Sequence, residues 1–267
     1  MKVITITNFK GGIAKTTTTS VLGACLKRKG YAVLCIEFDP QGNLSRNLRK
    51  DEVKGLREAM EYCIENHSKV EKHRFVREVI VSQEPYDIIP AGVDLAYLDK
   101  RLINTKNGQM VLNYLIKIGK LDEIYDFVLI DTSPTFGYFL MNAFTASDFV
   151  LAPVHENAES VDGLISLNEK VEMARKFYNN RVRICGILRS MWTPKHNLAK
   201  MLDEDFKDVA KEMGTIVFDT FIRETISVPE ASYLNENLLD YNIKCTAARD
   251  YLAFTDEFLK KVIGYEQ

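Results

Sequence analysis

Short runs of β-branched and aromatic residues alternate along the chain with longer segments in which apolar residues recur every three or four positions. The first pattern is typical of buried strands, and the second is typical of amphipathic helices. The alternation predicts an α/β fold with a mostly parallel, twisted sheet and helices on both of its faces. Strands are predicted at residues 3–7, 32–38, 86–89, 127–130, 149–154, 182–188 and 215–218. Helices are predicted at residues 16–29, 55–66, 108–118, 137–146, 160–177, 198–212 and 247–262.

Composition limits the classes of protein to which the chain can belong. Its 267 residues are 46% hydrophobic and 27% charged, so they can bury a substantial core, and residues 1–267 are expected to form one domain. The formal net charge is -2, so any contact with nucleic acid would need a local basic patch. No apolar run approaches the roughly 20 residues of a membrane span.

Cysteine spacing gives no support for a metal centre or a disulfide framework. The five cysteines are widely separated, and no two of them form a C-x-x-C pair. An odd number of such cysteines fits a reduced cytosol, and we expect buried, unreactive thiols. The most polar segment, residues 50–83, is expected to form exposed helices. Its histidines, His67 and His73, have no partner at metal-ligand spacing.

A loop of small residues joins the first predicted strand to the first predicted helix. Residues 8–17 read N-F-K-G-G-I-A-K-T-T. Small residues let successive backbone N–H groups point inward, and the helix that follows adds its positive N-terminal end, so the turn predicts a phosphate site. In a Walker A loop, Lys15 would neutralise the β- and γ-phosphates and the Thr16 hydroxyl would contact magnesium. Thr17 is placed to bond the α-phosphate.

Two positions of this loop depart from the ordinary Walker A pattern. Phe9 stands where the first glycine is usual, and Ala14 stands where a glycine usually precedes the lysine. The alternative interpretation is a helix start with a lysine in solvent. The strand before the loop and the helix after it favour a nucleotide site.

Two acidic residues follow predicted strands that come later in the chain. Asp39 follows the second strand, and Asp131 follows the apolar run 127–130. A carboxylate at the C-terminal end of a parallel strand faces the ligand crevice of the sheet. Asp131 is therefore expected to hold magnesium through a water molecule.

The loop also contains a second lysine, Lys10, directly before two glycines. The sequence K-G-G-x-x-K-T resembles the deviant Walker A motif of the ParA/MinD group of ATPases. Residues 36–43, 137–154, 186–191 and 222–231 resemble the corresponding ParA segments, so the likeness spans nearly the whole chain and is nearest to ParA proteins of the Soj type. It implies a P-loop NTPase fold.

The resemblance also implies roles for individual residues. Lys10 would reach across a dimer interface to the nucleotide of the partner copy, and Asp39 would orient the attacking water. Glu37 stands where the family has Asp, and its role stays open. The family reads adenine at the positions of Arg223 and Thr225. The implied catalytic residues are Lys10, Lys15 and Asp39, the nucleotide ligands are Lys10, Gly11, Gly12, Ile13, Ala14, Lys15, Thr16, Thr17, Arg223 and Thr225, and the magnesium group is Thr16, Asp39 and Asp131.

These features predict slow, magnesium-dependent ATP hydrolysis, because no strong general base is visible. By resemblance, the chain would act in plasmid or chromosome partition in the cytoplasm, associated with the nucleoid. Its ATP-bound homodimer would bind DNA non-specifically, and a ParB-like centromere-binding protein would stimulate hydrolysis. The candidate DNA contacts are Lys195, Lys200, Arg223, Lys244 and Arg249.

Two alternative functions compete with partition. A membrane-surface ATPase similar to MinD would need an amphipathic C-terminal helix, which the apolar stripe within residues 251–262 could supply. Such a stripe more often packs on the core, so a membrane partner is not expected. A metabolic ATPase similar to nitrogenase iron protein would need paired cysteines, and these are missing.

Overall fold

A six-stranded parallel sheet forms the centre of the structure. The computed structural model describes residues 1–46, 48, 54–66 and 72–264, without the side chains of Lys72 and His73. The strand order is β3-β2-β4-β1-β5-β6, and every neighbouring pair is parallel. The strands are β1 (Lys2–Ile6), β2 (Val33–Phe38), β3 (Asp87–Ile89), β4 (Phe127–Thr132), β5 (Phe149–Val154) and β6 (Arg183–Arg189).

Helices cover both faces of this sheet, as the sequence pattern predicts. Because both faces are covered, strands β2, β4 and β5 are buried along their whole length. The helices are α1 (Lys15–Arg28), α2 (Leu56–Glu65), α3 (Lys72–Glu78), α4 (Leu98–Ile103), α5 (Val111–Ile118), α6 (Tyr138–Ala146), α7 (Ser160–Phe177), α8 (Asn197–Glu212), α9 (Ser227–Leu234), α10 (Leu238–Asn242) and α11 (Thr246–Phe258).

The two faces of β2 lie in different apolar clusters. Val33 and Cys35 pack on the side of α1 and α11, whereas Leu34 and Ile36 pack on the side of α2 and α5. Successive strand residues point to opposite faces, so Glu37 continues the α1 side. This register carries the acidic end of β2 toward the loop that precedes α1.

The prediction of a seventh strand at residues 215–218 is wrong. This segment forms only an isolated bridge, Ile187 with Val217. The Arg189 guanidinium donates to the carbonyl of Phe218 at 2.7 Å and to that of Asp219 at 3.0 Å. The Arg189 side chain therefore supplies these two carbonyls with the hydrogen bonds that a neighbouring strand would otherwise provide.

The polar segment 50–83 does contain helices, but they are not fully exposed. α2 buries Leu56, Ala59, Met60 and Cys63, which pack in one apolar cluster with Leu34 and Ile36 of β2. Residues 47, 49–53 and 67–71 lie outside the described residues. The predictions for His67 and for the side chain of His73 fall in those undescribed parts of the chain.

The apolar stripe near the C-terminus packs on the core. Tyr251, Phe254 and Phe258 are fully buried, and the Tyr251 hydroxyl lies 3.0 Å from that of Thr18 in α1. This confirms the core interpretation of α11. Within the described parts of the chain, none of the helices has the length and apolar character needed to cross a bilayer.

The thiols are all free, and four of the five are buried. Burial raises the pKa of Cys25 to about 11 and that of Cys185 to about 12, so these thiols are protonated and unreactive at neutral pH. Cys245 is partly exposed, and its sulfur accepts the Ala248 N–H at the start of α11.

Gly186 in β6 is a position where we expect a substitution to destabilise the fold. A Cβ built there would lie 2.3 Å from the buried ring of Phe218. Gly186→Ala should lower the free energy of unfolding by about 1–3 kcal/mol through overpacking, measured by chemical denaturation.

Gly163 is the matched control, because it lies inside α7 and a Cβ there would meet only Asn8 Oδ1 at 3.4 Å. Gly163→Ala should be neutral or stabilise by up to about 1 kcal/mol, since Ala is the better helix former. Equal stability of Gly186→Ala and the wild type would contradict this account of β6 packing.

Candidate functional site

The loop between β1 and α1 curls through two residues in left-handed conformation. Gly12 has φ 70° and Ala14 has φ 64°. The left-handed region costs a residue with a Cβ roughly 1–2 kcal/mol, so Ala14 stores strain where a glycine would not. Nothing lies within 4 Å of the positions that a Cβ on Gly11 or Gly12 would take. Gly11 and Gly12 therefore border open space.

Neighbouring strands hold this loop at two points. The Ser190 hydroxyl, just after β6, lies within hydrogen-bond distance of the carbonyls of Ile13 (3.0 Å) and Val154 (2.9 Å) and shares its hydrogen between them. The Asn8 amide donates to the Pro153 carbonyl in β5 at 2.9 Å. Because both side chains are buried, these contacts hold the loop in one path.

Within the described parts of the chain, no side chain caps the backbone N–H groups at the start of α1. The helix begins at Lys15, with no side-chain cap and no acidic residue in its first turn. The positive end of a helix in this state attracts anions, and phosphate above all.

The two lysines of the loop have different surroundings. Lys15 is buried, and its ammonium group donates to the Lys10 carbonyl at 2.6 Å. Burial lowers the Lys15 pKa, while the charges of Asp131 and Asp39 oppose that shift. Lys10 lies at the surface, where its ammonium group forms an ion pair with Glu159 at 2.9 Å.

Asp131 ends β4 and is completely buried. Its Oδ2 accepts the Thr16 hydroxyl at 2.8 Å, and its Oδ1 accepts the Thr19 hydroxyl at 3.2 Å. Burial raises the Asp131 pKa to about 7, the hydroxyl of Thr16 opposes this, and the charges of Glu37 and Asp39 add to it. Carboxylate and hydroxyl oxygens are the ligands that Mg²⁺ prefers.

Asp39 begins a tight turn at the end of β2. Its Oδ1 accepts the Gln41 N–H at 2.9 Å, and its carbonyl accepts the Gly42 N–H at 3.0 Å. Gly42 has φ 62°, which this turn requires. Asp39 is buried, with 9% of its surface exposed, and its charge acts on both Lys15 and Asp131.

The geometry brings together Lys10, Lys15, Thr16, Asp39 and Asp131 at the carboxyl edge of the sheet. The AAA domain family matches residues 1–184. The sporulation initiation inhibitor protein Soj of Bacillus subtilis (strain 168) is 32% identical over 259 residues, covering 96% of this chain and 97% of Soj. This chain belongs to the AAA domain family.

Further comparisons agree with this membership. The chromosome partitioning protein ParA of Caulobacter vibrioides (strain NA1000 / CB15N) is 29% identical over 273 residues, covering 98% of this chain and 95% of ParA. The structure of a Cyanothece McdA variant in complex with ATP superposes with a TM-score of 0.81 at 22% identity, covering 100% of this chain and 98% of McdA. The resemblance to the ParA/MinD group and the predicted P-loop fold are confirmed.

Glu37 belongs to the same edge of this AAA domain, and its position in the sequence did not reveal its role. It is completely buried. Its Oε1 accepts the N–H groups of Leu44 (2.6 Å) and Ser45 (3.3 Å), and its Oε2 accepts the Ser45 hydroxyl and the Ala91 N–H (3.1 Å). The one available signal was an acid two residues before Asp39 in a buried strand.

The loop that is predicted to contact adenine contains Arg223, whose guanidinium group is paired with an acidic residue. Arg223 donates to both carboxylate oxygens of Asp250, at 2.9 and 2.6 Å. Its backbone forms a bridge with Trp192, two residues beyond Ser190, so the loop approaches the same edge of the sheet. Base contacts by Arg223 and Thr225 stay predictions.

A cavity of about 270 Å³ opens beside Thr16 and Thr17. It lies between α1, the loop after β2 and α9, and neither Arg223 nor Thr225 borders it. The cavity extends the site along α1, away from Lys15.

The candidate DNA contacts fall into two exposed groups. Lys195 and Lys200 lie at the start of α8, and Lys244 and Arg249 lie at the start of α11. These four form no ion pair within the described parts of the chain, whereas Arg223 is paired with Asp250.

Because its carboxyl group is buried, Asp131 should make the stability of the metal-free protein depend on pH. Its pKa is raised from 3.8 to about 7, so between about pH 4 and pH 7 the folded chain holds a proton that the unfolded chain releases. Stability should fall as the pH rises through that window, by at most about 4 kcal/mol. Asp131→Asn should lack this loss and be more stable than the wild type at pH 8.

The measurement is denaturation in EDTA at pH 5 and pH 8. Thr132→Val is a control at the next position of β4, since the Thr132 hydroxyl bonds the Ile6 carbonyl and carries no charge. Thr132→Val should change the free energy of unfolding by the same amount at pH 5 and at pH 8. A wild type as stable at pH 8 as at pH 5 would show that Asp131 is ionised throughout.

Proposed function

We propose that the chain is a slow, magnesium-dependent ATPase that acts as a nucleotide-controlled switch in plasmid or chromosome partition. The observation that carries this is the convergence of Lys15, the uncapped start of α1 and the pair Thr16–Asp131 in one loop region. The names of its relatives Soj and ParA, and the ATP complex of McdA, support the same function.

The residues present fit a nucleoside triphosphate with magnesium. The N–H groups of α1 and the ammonium of Lys15 would bind phosphate oxygens, and Lys15 would leave the Lys10 carbonyl to do so. The Thr16 hydroxyl and Asp131, with Asp39 nearby, would hold the metal. Bound magnesium supplies positive charge that favours the ionised form of Asp131 and offsets charge on the phosphoryl group.

Hydrolysis of this kind depends on positioning. Asp39, just after β2, would orient the attacking water, and Lys15 would stabilise the charge that develops on the phosphoryl oxygens. Asp39 orients the water but is not a strong general base, and no other described residue is placed to act as one. Slow turnover follows, which suits a protein whose ATP and ADP states bind different partners.

Lys10 would complete the site of a second copy. The Lys10 side chain is a third exposed, and among the described residues its ammonium group is held only by Glu159, itself 80% exposed. Surface ion pairs of this kind contribute little to stability. Lys10 can therefore exchange Glu159 for phosphate oxygens of a nucleotide in a partner copy. ATP would thus drive homodimer formation.

The ATP dimer would bind DNA without sequence preference through the exposed cations at the starts of α8 and α11. Because the net charge is -2, this binding would depend on local charge and fall steeply with salt. A ParB-like centromere-binding partner would stimulate hydrolysis and release the dimer. The protein would work in the cytoplasm, associated with the nucleoid.

DNA binding in ATP, in ADP and without nucleotide tests the switch. We expect binding with ATP only, weakening strongly between low and physiological salt. Lys15→Ala should bind neither ATP nor DNA, because the phosphates lose their buried ammonium. Lys100→Ala, an exposed lysine on α4, is the control and should behave as the wild type. Normal ATP hydrolysis by Lys15→Ala, or equal DNA binding without nucleotide, would defeat the proposal.

Light scattering with a non-hydrolysable ATP analogue tests the role of Lys10. The wild type should form dimers, whereas Lys10→Ala should stay monomeric because the partner's nucleotide lacks its second ammonium. Glu159→Gln is the matched control: it removes the ion-pair partner but keeps Lys10, so it should dimerise at the same or lower analogue concentration. Dimers of Lys10→Ala at wild-type concentrations would exclude the cross-subunit contact.

A further inference from the structure

Glu37 is a buried acid whose oxygens accept hydrogen bonds from two separate loops. Leu44 and Ser45 belong to the loop after β2, and Ala91 belongs to the loop after β3. A buried carboxylate is unfavourable unless it is well hydrogen-bonded, and here N–H and hydroxyl donors surround it. Such an arrangement specifies the paths of both loops at once.

The bonds of Glu37 close the turn that begins at Asp39. The Asp39 carboxylate and carbonyl hold the first half of this turn through Gln41 and Gly42. Glu37 holds the returning half through Leu44 and Ser45. The path between residues 39 and 45 is therefore fixed at both of its ends, and Leu44 packs into the core beneath it.

We propose that Glu37 is a positioning residue for ATP hydrolysis, which keeps the loop after β2 in the path that turns the Asp39 carboxylate toward the phosphate loop. The inference rests on the proposed ATPase function. Glu37 lies in β2 and Asp39 begins the loop that follows it, so the path of this loop determines where the Asp39 carboxylate lies relative to Lys15. The hydrogen bonds that Glu37 accepts from Leu44, Ser45 and Ala91 come from the loops after β2 and β3.

Charge and side-chain length both contribute to this role. An amide at position 37 would turn a donor group toward N–H and hydroxyl donors and leave at least one of them unpaired. An aspartate would be shorter by one carbon–carbon bond, about 1.5 Å, and could not reach Leu44, Ser45 and Ala91 together. The resemblance to ParA places an aspartate here, so the longer side chain is a property of this chain.

Steady-state ATPase kinetics of Glu37→Gln test the inference. We expect kcat to fall at least about tenfold, because displacement of a water-orienting group by about 1 Å has effects of that size. KM for ATP and the affinity for a non-hydrolysable analogue should change by less than about twofold, since Lys15 and the α1 amides are untouched. Limited proteolysis should also cut the loop at residues 40–46 faster than in the wild type.

Asn179→Ala separates this role from a general loss of stability. Asn179 is nearly buried and donates to the Phe144 and Ser147 carbonyls at the opposite edge of the sheet. Its loss should lower the melting temperature while kcat per folded molecule stays at the wild-type value. A fall of kcat in Asn179→Ala equal to that in Glu37→Gln would reduce Glu37 to a structural residue.

Ser45→Ala covers the case in which Glu37→Gln does not fold. It removes one donor to Glu37, so kcat should fall about two- to fivefold at unchanged KM. Wild-type kcat in a folded Glu37→Gln, or in Ser45→Ala if Glu37→Gln cannot fold, overturns the inference. A wild-type chain without ATPase activity defeats the proposed function itself, whereas an active wild type with an equally active Glu37→Gln defeats the role of Glu37 alone.

Discussion

Buried charge at the carboxyl edge of the sheet is the constraint on which the site depends. Asp131 and Glu37 are both completely buried, and Lys15 is nearly so. Burial raises the Asp131 pKa to about 7 and lowers that of Lys15, so each group is held in surroundings that disfavour its charged form. A ligand that brings both anionic phosphate and a divalent cation would relieve both penalties. This balance of charges supports the proposed binding of a magnesium–nucleotide complex.

Rigid and adjustable parts of the site lie side by side. The phosphate loop is braced through Ser190 and Asn8 and tolerates Ala14 in a left-handed conformation, which only a well-held loop can do. Lys10, in the same loop, instead points to the surface and contacts an exposed glutamate. This division fits a protein that binds phosphates with a preformed loop and changes partners through its surface.

Sequence periodicity predicted the sheet because parallel strands that are buried on both faces consist of short, nearly continuous apolar runs. It failed at residues 215–218, where the apolar run is real but the pairing with β6 stops at one bridge and the Phe218 and Asp219 carbonyls accept from Arg189. It also missed the buried face of α2, because a mixed polar segment conceals four apolar positions at helical spacing. In the site, Lys15, Thr16 and Asp131 could be predicted from motif spacing, whereas the contacts of Glu37 could not.

Local order along the chain was enough to determine the parallel α/β fold, the phosphate loop with its two lysines and the acids at the strand ends. Each of these features depends on residues that lie close together in the sequence, so the sequence shows the pattern directly. Only the tertiary structure decided that Lys10 meets Glu159, 149 residues away, that Ser190 braces Ile13, 177 residues away, and that Glu37 joins two loops. Such pairings arise from how distant segments pack against each other, and the residue types alone are compatible with many of them.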